Sequence, residues 1–137
     1  MNASSAFRVA IGIGCDRGAS LKTFAAALDQ ALALCHCERR QIAVVASIDL
    51  KRNEVALLDF AQAHGWPLQF YPAPALAQVS VPNPSETVRR HTGTPAVAEA
   101  AALLAADTHA ADLLVEKFKL KGEDGRNVTI SIARMRI

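Results

Sequence analysis

The stretch Val9-Ala-Ile-Gly-Ile-Gly-Cys-Asp-Arg-Gly-Ala-Ser20 decides the fold, because it joins an apolar strand pattern to a glycine-rich turn and a helix start. Gly14 and Gly18 leave backbone N–H groups uncovered in the turn, and Ser20 precedes a helix whose positive end faces the same side. We therefore expect an anion site after this strand. The common nucleotide-binding patterns are not met, because Arg17 stands where G-x-G-x-x-G requires glycine and no G-K-[ST] follows.

Length and composition predict a single domain over residues 1–137. The chain is 51% hydrophobic and 20% charged, which is enough to bury a core of its own. A net charge of +2 and few aromatic side chains do not indicate a nucleic-acid surface. No apolar stretch approaches the roughly 20 residues of a membrane span, and the N-terminus lacks a signal-peptide pattern. We expect a cytoplasmic protein that has no cofactor. We also expect that it binds neither nucleic acid nor membranes.

The cysteines favour free thiols over a disulfide framework or a metal site. They number three, an odd count, in a chain without a secretory signal. Cys35 and Cys37 flank a histidine, but such close neighbours cannot close a tetrahedral metal shell, and no second Cys/His pair follows at the usual spacing. We therefore predict no metal. Cys15 lies beside Arg17 and near a helix start, so we expect a lowered thiol pKa there and treat Cys15 as a candidate nucleophile.

Hydrophobic periodicity predicts alternating strands and helices along the first half of the chain. We expect strands at 7–13, 42–46 and 68–71, helices at 20–34, 53–64 and 96–106, and a hairpin at 113–121 and 128–134. Residues 72–95 read as a proline-rich connection with short helices, in which Asn83 and Glu86 form a capping box around Pro84. This order predicts an α/β fold, a three-layer α/β/α sandwich with a mixed sheet of about five strands.

In such a sheet ligands bind at the carboxyl ends of the parallel strands, so we expect the functional site there. The predicted ligand-binding residues at this edge are Gly14, Arg17, Gly18, Ser20, Ser47, Asp49, Lys51, Asn83 and Ser85, with Lys22, Arg52, Arg89, Arg90 and His91 nearby. A set with this many cations suits a ligand that bears several carboxylates better than one that bears a single phosphate.

The candidate catalytic residues are Asp49, Glu86 and Cys15. Each of the two acids also has a structural interpretation, as a turn-stabilising carboxylate for Asp49 and as part of the capping box for Glu86. The spacings do not define a Ser/His/Asp triad.

Four blocks of the sequence resemble the successive signatures of the CobE family and of the homologous C-terminal domain of CbiG: Gly12–Ser20, Ala46–Lys51, Val81–Glu86 and Gly93–Ala101. The closing segments 113–117 and 128–134 fit as well. The resemblance implies a mixed α/β fold and a role in cobalamin (vitamin B12) biosynthesis, in building the corrin ring from precorrin intermediates. Precorrins carry acetate and propionate arms, whose negative charges agree with the cations predicted at the carboxyl ends of the strands.

Two functions remain open. In the first, the chain binds a precorrin or other tetrapyrrole intermediate and acts as a carrier or accessory factor of the aerobic route, with neighbouring pathway enzymes as partners. In the second, it hydrolyses a precorrin ring lactone, as the resemblance to CbiG implies, using Asp49 or Glu86 with Cys15 or a water. The sequence favours binding, because the anion-binding elements stand out and no acid/base arrangement does.

Overall fold

The computed structural model describes residues 7–81 and 97–135, and its elements follow the predicted order. They are β1 (Val9–Cys15), α1 (Leu21–Leu34), β2 (Ile42–Ile48), α2 (Val55–His64), β3 (Leu68–Tyr71), α3 (Ala73–Ala77), α4 (Val97–Ala106), β4 (Leu113–Lys121) and β5 (Asn127–Arg134). Short 3₁₀ turns occur at Arg39–Gln41, Asp49–Lys51 and Ala110–Asp112. β1 and β2 end later than predicted, and Cys15 therefore belongs to the strand and not to the turn.

The five strands form one mixed sheet in the order β3-β2-β1-β5-β4. β1 pairs with β2, and β2 with β3, in parallel, whereas β5 runs antiparallel to both β1 and β4. Gly12 at the centre of the sheet lies opposite Ala46 on β2 and Ser131 on β5. The prediction of a mixed five-stranded sheet is confirmed.

Helices cover both faces of the sheet. Ile11 packs with Phe24 of α1 and Phe60 of α2 in one core, whereas Ala10 packs with Leu103 of α4 in another. Because neighbouring residues of a strand point to opposite faces, α1 and α2 lie on one side and α4 on the other. The chain therefore has the helix–sheet–helix layering that an α/β sandwich requires.

Gly12 lets α4 approach β1 with its backbone. A Cβ atom built at Gly12 would lie 1.8 Å from the carbonyl oxygen of Ala98 and 2.7 Å from the backbone nitrogen of Ala102. No side chain fits into this space, so glycine is needed here for close helix–sheet packing.

The helix ends follow local rules. Ser20 precedes α1 in an extended conformation, and its side chain accepts the N–H of Thr23. Gly65 ends α2 with a left-handed φ of 70°, which favours glycine. Both ends agree with the sequence prediction.

Strands β1, β2 and β3 all end at one edge of the sheet, which we call the carboxyl edge. β4 also ends there and β5 begins there, so the hairpin turn over residues 122–126 joins the same edge. This arrangement brings the segments after β1 and β2 close to the β4–β5 hairpin. Over the described parts of the chain, no helix has the length and apolar character needed to cross a membrane.

Candidate functional site

The turn after β1 is closed by hydrogen bonds within the protein. Gly18 has a positive φ of 81°, and its N–H donates to Glu54 Oε2 over 3.2 Å. The N–H of Ala19 donates to the carbonyl of Asp16 over 3.2 Å. The expectation of uncovered N–H groups is therefore wrong for Gly18 and Ala19, because a buried carboxylate and a turn carbonyl accept them.

Glu54 is a candidate residue that sequence reasoning missed. It immediately precedes α2, yet its side chain makes no capping hydrogen bond to that helix. Its carboxylate instead reaches the turn after β1, where Oε1 lies 3.4 Å from Nη1 of Arg17. The Glu54 side chain is only 6% exposed and that of Arg17 is 71% exposed. The sole sequence signal was an acid at a helix start, which usually indicates a local role.

Two of the three predicted serines contribute to the fold. Ser20 is exposed at the carboxyl edge, where it caps α1. Ser47 is fully buried in β2, and its hydroxyl donates to the carbonyl of Ile13 over 2.7 Å. Because this hydroxyl is engaged inside the sheet, we correct the prediction and leave Ser47 out of the proposed site.

Asp49 stabilises the turn after β2. It opens the 3₁₀ turn Asp49–Lys51, and its Oδ1 accepts a hydrogen bond from Nη2 of Arg52 over 2.8 Å. This geometry supports the turn-stabilising interpretation of Asp49 and neutralises the charge of Arg52.

Several predicted site residues lie outside the described residues. These are Asn83, Ser85 and Glu86, together with the nearby Arg89, Arg90 and His91. Their roles stay predictions.

The Cys15 thiol is not activated. Burial raises its pKa from 9.0 to about 11; Lys51 and Arg17 act against this rise, and Glu54 and Asp16 add to it. The expected lowering of the pKa is wrong, because Cys15 ends β1 and packs against the core on the α1 side. A thiol with this pKa is protonated near neutral pH and is a poor nucleophile.

Three lysines at the carboxyl edge make no ion pair with any residue of 7–81 or 97–135. They are Lys51, which is half-buried after β2, and the exposed Lys119 and Lys121 at the end of β4. We call these three residues the cationic edge. Other cations nearby are paired: Arg17 with Glu54, Lys22 with Glu123, Arg52 with Asp49 and Arg126 with Asp124.

Two of these lysines act on the carboxyl group of Asp16. The pKa of its carboxyl is lowered, chiefly because the backbone N–H of Asn127 donates to Oδ2 over 2.8 Å. The charges of Lys51 and Lys119 lower the same pKa further. Lys51 and Lys119 therefore both contribute positive charge around Asp16, the residue that follows β1.

Gly14 has few close neighbours among the described residues. Among the described residues, a Cβ atom built at Gly14 would meet only Cβ of Thr129, at an ordinary 3.9 Å. Gly14 pairs with Thr129 across β1 and β5, and Thr129 pairs with Lys119 across β5 and β4. Paired residues share a face, so these three residues form a row across the sheet. In this row the small residues Gly14 and Thr129 lie beside Lys119, which has no ion pair among the described residues.

A shallow depression of about 480 Å³ lies on the other side of the turn, between the first turns of α1 and α2. Its lining includes the exposed apolar side chains of Leu21 and Val55 and the charged side chains of Arg17, Glu54 and Asp59. Two carboxylates and one guanidinium make this depression unlike the cationic edge in charge.

The cysteines after α1 make local contacts. Sγ of Cys37 donates to the carbonyl of Cys35 over 3.6 Å, and burial raises the pKa of Cys37 to about 12. In the two described ranges, no three His, Cys, Asp or Glu side chains come together to hold a metal ion.

Fold and site together define an α/β domain whose carboxyl edge presents lysines that form no ion pair within residues 7–81 and 97–135. The family model described as "Cobalamin synthesis G C-terminus" matches residues 9–133 of this chain. The chain therefore belongs to the cobalamin synthesis G C-terminus family, as the sequence resemblance implied, and takes part in cobalamin biosynthesis.

Two relatives illustrate the range of the family. Protein CobE of a Sinorhizobium species is 38% identical over 109 residues, which cover 78% of this chain and 70% of that protein. The cobalt-precorrin-5A hydrolase of Priestia megaterium is 33% identical over 125 residues, or 91% of this chain. The chain spans only 32% of the length of that hydrolase.

Solved structures agree with this assignment. The crystal structure of CobE, a protein from the cobalamin biosynthetic pathway, has a TM-score of 0.82 and 32% identity and covers 96% of this chain and 92% of its own. The cobalamin biosynthesis protein chiG from Agrobacterium tumefaciens has a TM-score of 0.64 and 27% identity, with 94% and 99% covered.

Proposed function

We propose that this chain binds a precorrin or a related tetrapyrrole intermediate by its acetate and propionate arms. The observation that carries the proposal is the cationic edge, where Lys51 after β2 and Lys119 in β4 form no ion pair among the described residues and both lower the pKa of Asp16. Lysines at one edge of a sheet that form no ion pair are suited to a ligand that brings several carboxylates.

The open row beside the cationic edge fits the body of such a ligand. Gly14 and Thr129 place little side-chain bulk on this face of the sheet next to Lys119. A flat macrocycle could lie over this row while its carboxylate arms reach the lysines. A charge-assisted hydrogen bond contributes about 1.5–3 kcal/mol, and salt weakens it where the site is open to solvent.

In our proposal the chain is a carrier or accessory factor of the aerobic route. Residues 1–137 would act as one cytoplasmic domain that holds the intermediate and hands it to neighbouring enzymes of the pathway. Stoichiometric binding without turnover is the behaviour that this role requires.

The second candidate function is hydrolysis of a precorrin ring lactone. It is favoured by the 33% identity to a cobalt-precorrin-5A hydrolase. The two candidate catalytic residues that the structure describes do not support hydrolysis. The Cys15 thiol has a raised pKa, and Asp49 is paired with Arg52. Glu86 lies outside the described residues.

The test is to mix the purified protein with a precorrin and follow its absorption spectrum. We expect a changed spectrum that saturates at a fixed ratio of ligand to protein. Continued conversion of excess precorrin would instead establish catalysis, and an unchanged spectrum would contradict binding. Lys51→Ala should weaken the spectral change, whereas Arg40→Ala should not, because Arg40 precedes β2 at the opposite edge of the sheet and pairs with Glu38.

A further inference from the structure

We infer that Glu54 is a specificity-determining residue, whose carboxylate cancels the charge of Arg17 and directs ligand carboxylates to the cationic edge. This inference rests on the proposed function, because it concerns how the same site receives a polycarboxylate tetrapyrrole. The sequence suggested Arg17 as a ligand-binding cation. In this inference the charge of Arg17 is already neutralised within the protein by Glu54.

The geometry of Glu54 is unusual for a residue at a helix start. Its carboxylate makes no capping hydrogen bond to the N–H groups of α2 and instead extends to the turn after β1. There, Oε2 accepts the N–H of Gly18, and Oε1 lies 3.4 Å from Nη1 of Arg17 without a hydrogen bond to any described group. A buried carboxylate with one oxygen lacking a hydrogen bond is costly unless a cation stays beside it. Arg17 is thus held by Glu54, although most of its side chain is exposed.

The charges on the two sides of the turn differ in sign. On the α1–α2 side the depression is lined by Glu54, Asp59 and Arg17, so its carboxylates outnumber its cations. At the carboxyl edge, Lys51 and Lys119 form no ion pair with a described residue, and both lower the pKa of Asp16. A ligand carboxylate is therefore repelled from the depression and attracted to the cationic edge.

This arrangement makes the contribution of Arg17 depend on Glu54. With Glu54 ionised, Arg17 adds little net attraction for an anion. With the carboxylate replaced by an uncharged amide, the guanidinium of Arg17 becomes available, and the depression loses half of its negative charge. The two residues should therefore show a coupling free energy in anion binding that independent sites do not show.

The experiment is a double-mutant cycle of Arg17→Ala and Glu54→Gln, with uroporphyrin as the probe and calorimetry as the readout. Uroporphyrin is a planar tetrapyrrole whose rim carries only acetate and propionate arms. Glutamine keeps an oxygen that can accept the N–H of Gly18, so the turn should remain folded, which circular dichroism checks. Lys51→Ala, made in both backgrounds, is the matched control for losing one cation at the carboxyl edge.

We expect Arg17→Ala to change the affinity of the wild-type protein by less than about twofold, and that of the Glu54→Gln protein by about fivefold, the upper range for an exposed charge pair. Glu54→Gln alone should tighten binding by a similar factor. Lys51→Ala should weaken binding in both backgrounds by about tenfold.

Equal effects of Arg17→Ala in the two backgrounds would overturn the inference while leaving the proposed function intact, provided that Lys51→Ala still weakens binding. Failure of the wild-type protein to bind uroporphyrin or a precorrin would overturn the proposed function, and the inference with it.

Discussion

Replacement of Gly12 by alanine should destabilise the fold more than the same replacement of Gly14 on the same strand. The new Cβ would lie 1.8 Å from the carbonyl oxygen of Ala98, whereas ordinary contact begins at 3.4 Å. The α4 backbone would have to retreat by 3.4 − 1.8 = 1.6 Å, and the helix would lose packing against Ala10 and Ala133 in the sheet. Overpacking of this kind costs about 3 kcal/mol, at the upper end of the usual range, because a backbone atom blocks the methyl group.

The assay is urea unfolding followed by far-ultraviolet circular dichroism, with Gly14→Ala as the matched control. Gly14 lies on the same strand and face, but its Cβ would meet Thr129 at only an ordinary 3.9 Å. We expect Gly14→Ala to change the free energy of unfolding by less than about 1 kcal/mol. Equal unfolding free energies for the two variants, or a Gly12→Ala protein as stable as the wild type, would refute the close approach of α4 to β1.

Three further predictions follow from buried polar groups. The Cys15 thiol, with a pKa near 11, should react with iodoacetamide slowly at neutral pH and faster as the pH rises towards 11; a rate already maximal at pH 8 would contradict this. Because its pKa is higher in the folded than in the unfolded chain, its contribution to stability should be lost as the pH rises from 9 to 11. Ser47→Ala removes the hydrogen bond to Ile13 and should lower the free energy of unfolding by about 1–3 kcal/mol, measured with urea; no loss would contradict the buried contact. Burial raises the pKa of Glu99 despite the nearby Lys117, so the stability of the wild type should fall relative to Glu99→Gln as the pH rises above about 4.5, and parallel pH profiles would argue against it.

Much of the fold could be predicted because its signals are local. The strand 68–71 and the helix end at Gly65 depend on short apolar runs and on one glycine, and both were placed correctly. The cap at Ser20 follows the same logic, since the groups that it joins are three residues apart. The ends of β1 and β2 were less accurate, because pairing partners from distant segments determine where a strand stops. Cys15 is in the strand because it pairs with Val128.

The site was less predictable because its contacts are long-range. The hydrogen bond from Gly18 to Glu54 joins residues 36 apart, and that from Asn127 to Asp16 joins residues 111 apart. No spacing rule indicates that a carboxylate at the start of α2 will accept an N–H from the turn after β1. The pKa of Cys15 was misjudged for a related reason: the sequence shows the neighbouring cation but not the burial that outweighs it.

Lys51 was predicted as a site residue from its position after a buried strand, and the structure places it at the carboxyl edge. Lys119 and Lys121 stand two residues apart and so share one face of β4, but their position at the carboxyl edge depends on the order and direction of the strands in the sheet. That order follows from the antiparallel pairing of β5 with β1, which the sequence alone did not determine.

The most direct test of the cationic edge as a tetrapyrrole site is a calorimetric titration of a precorrin into four proteins at low and high salt. These are the wild type, Lys51→Ala, the double variant Lys51→Ala/Lys119→Ala, and the Arg40→Ala control at the opposite edge of the sheet. We predict a loss of about tenfold in affinity for each lysine removed, no loss for the control, and a salt dependence that is strongest in the wild type. A double variant that binds as tightly as the wild type, or a control that loses as much, would contradict the assignment of this edge as the binding site.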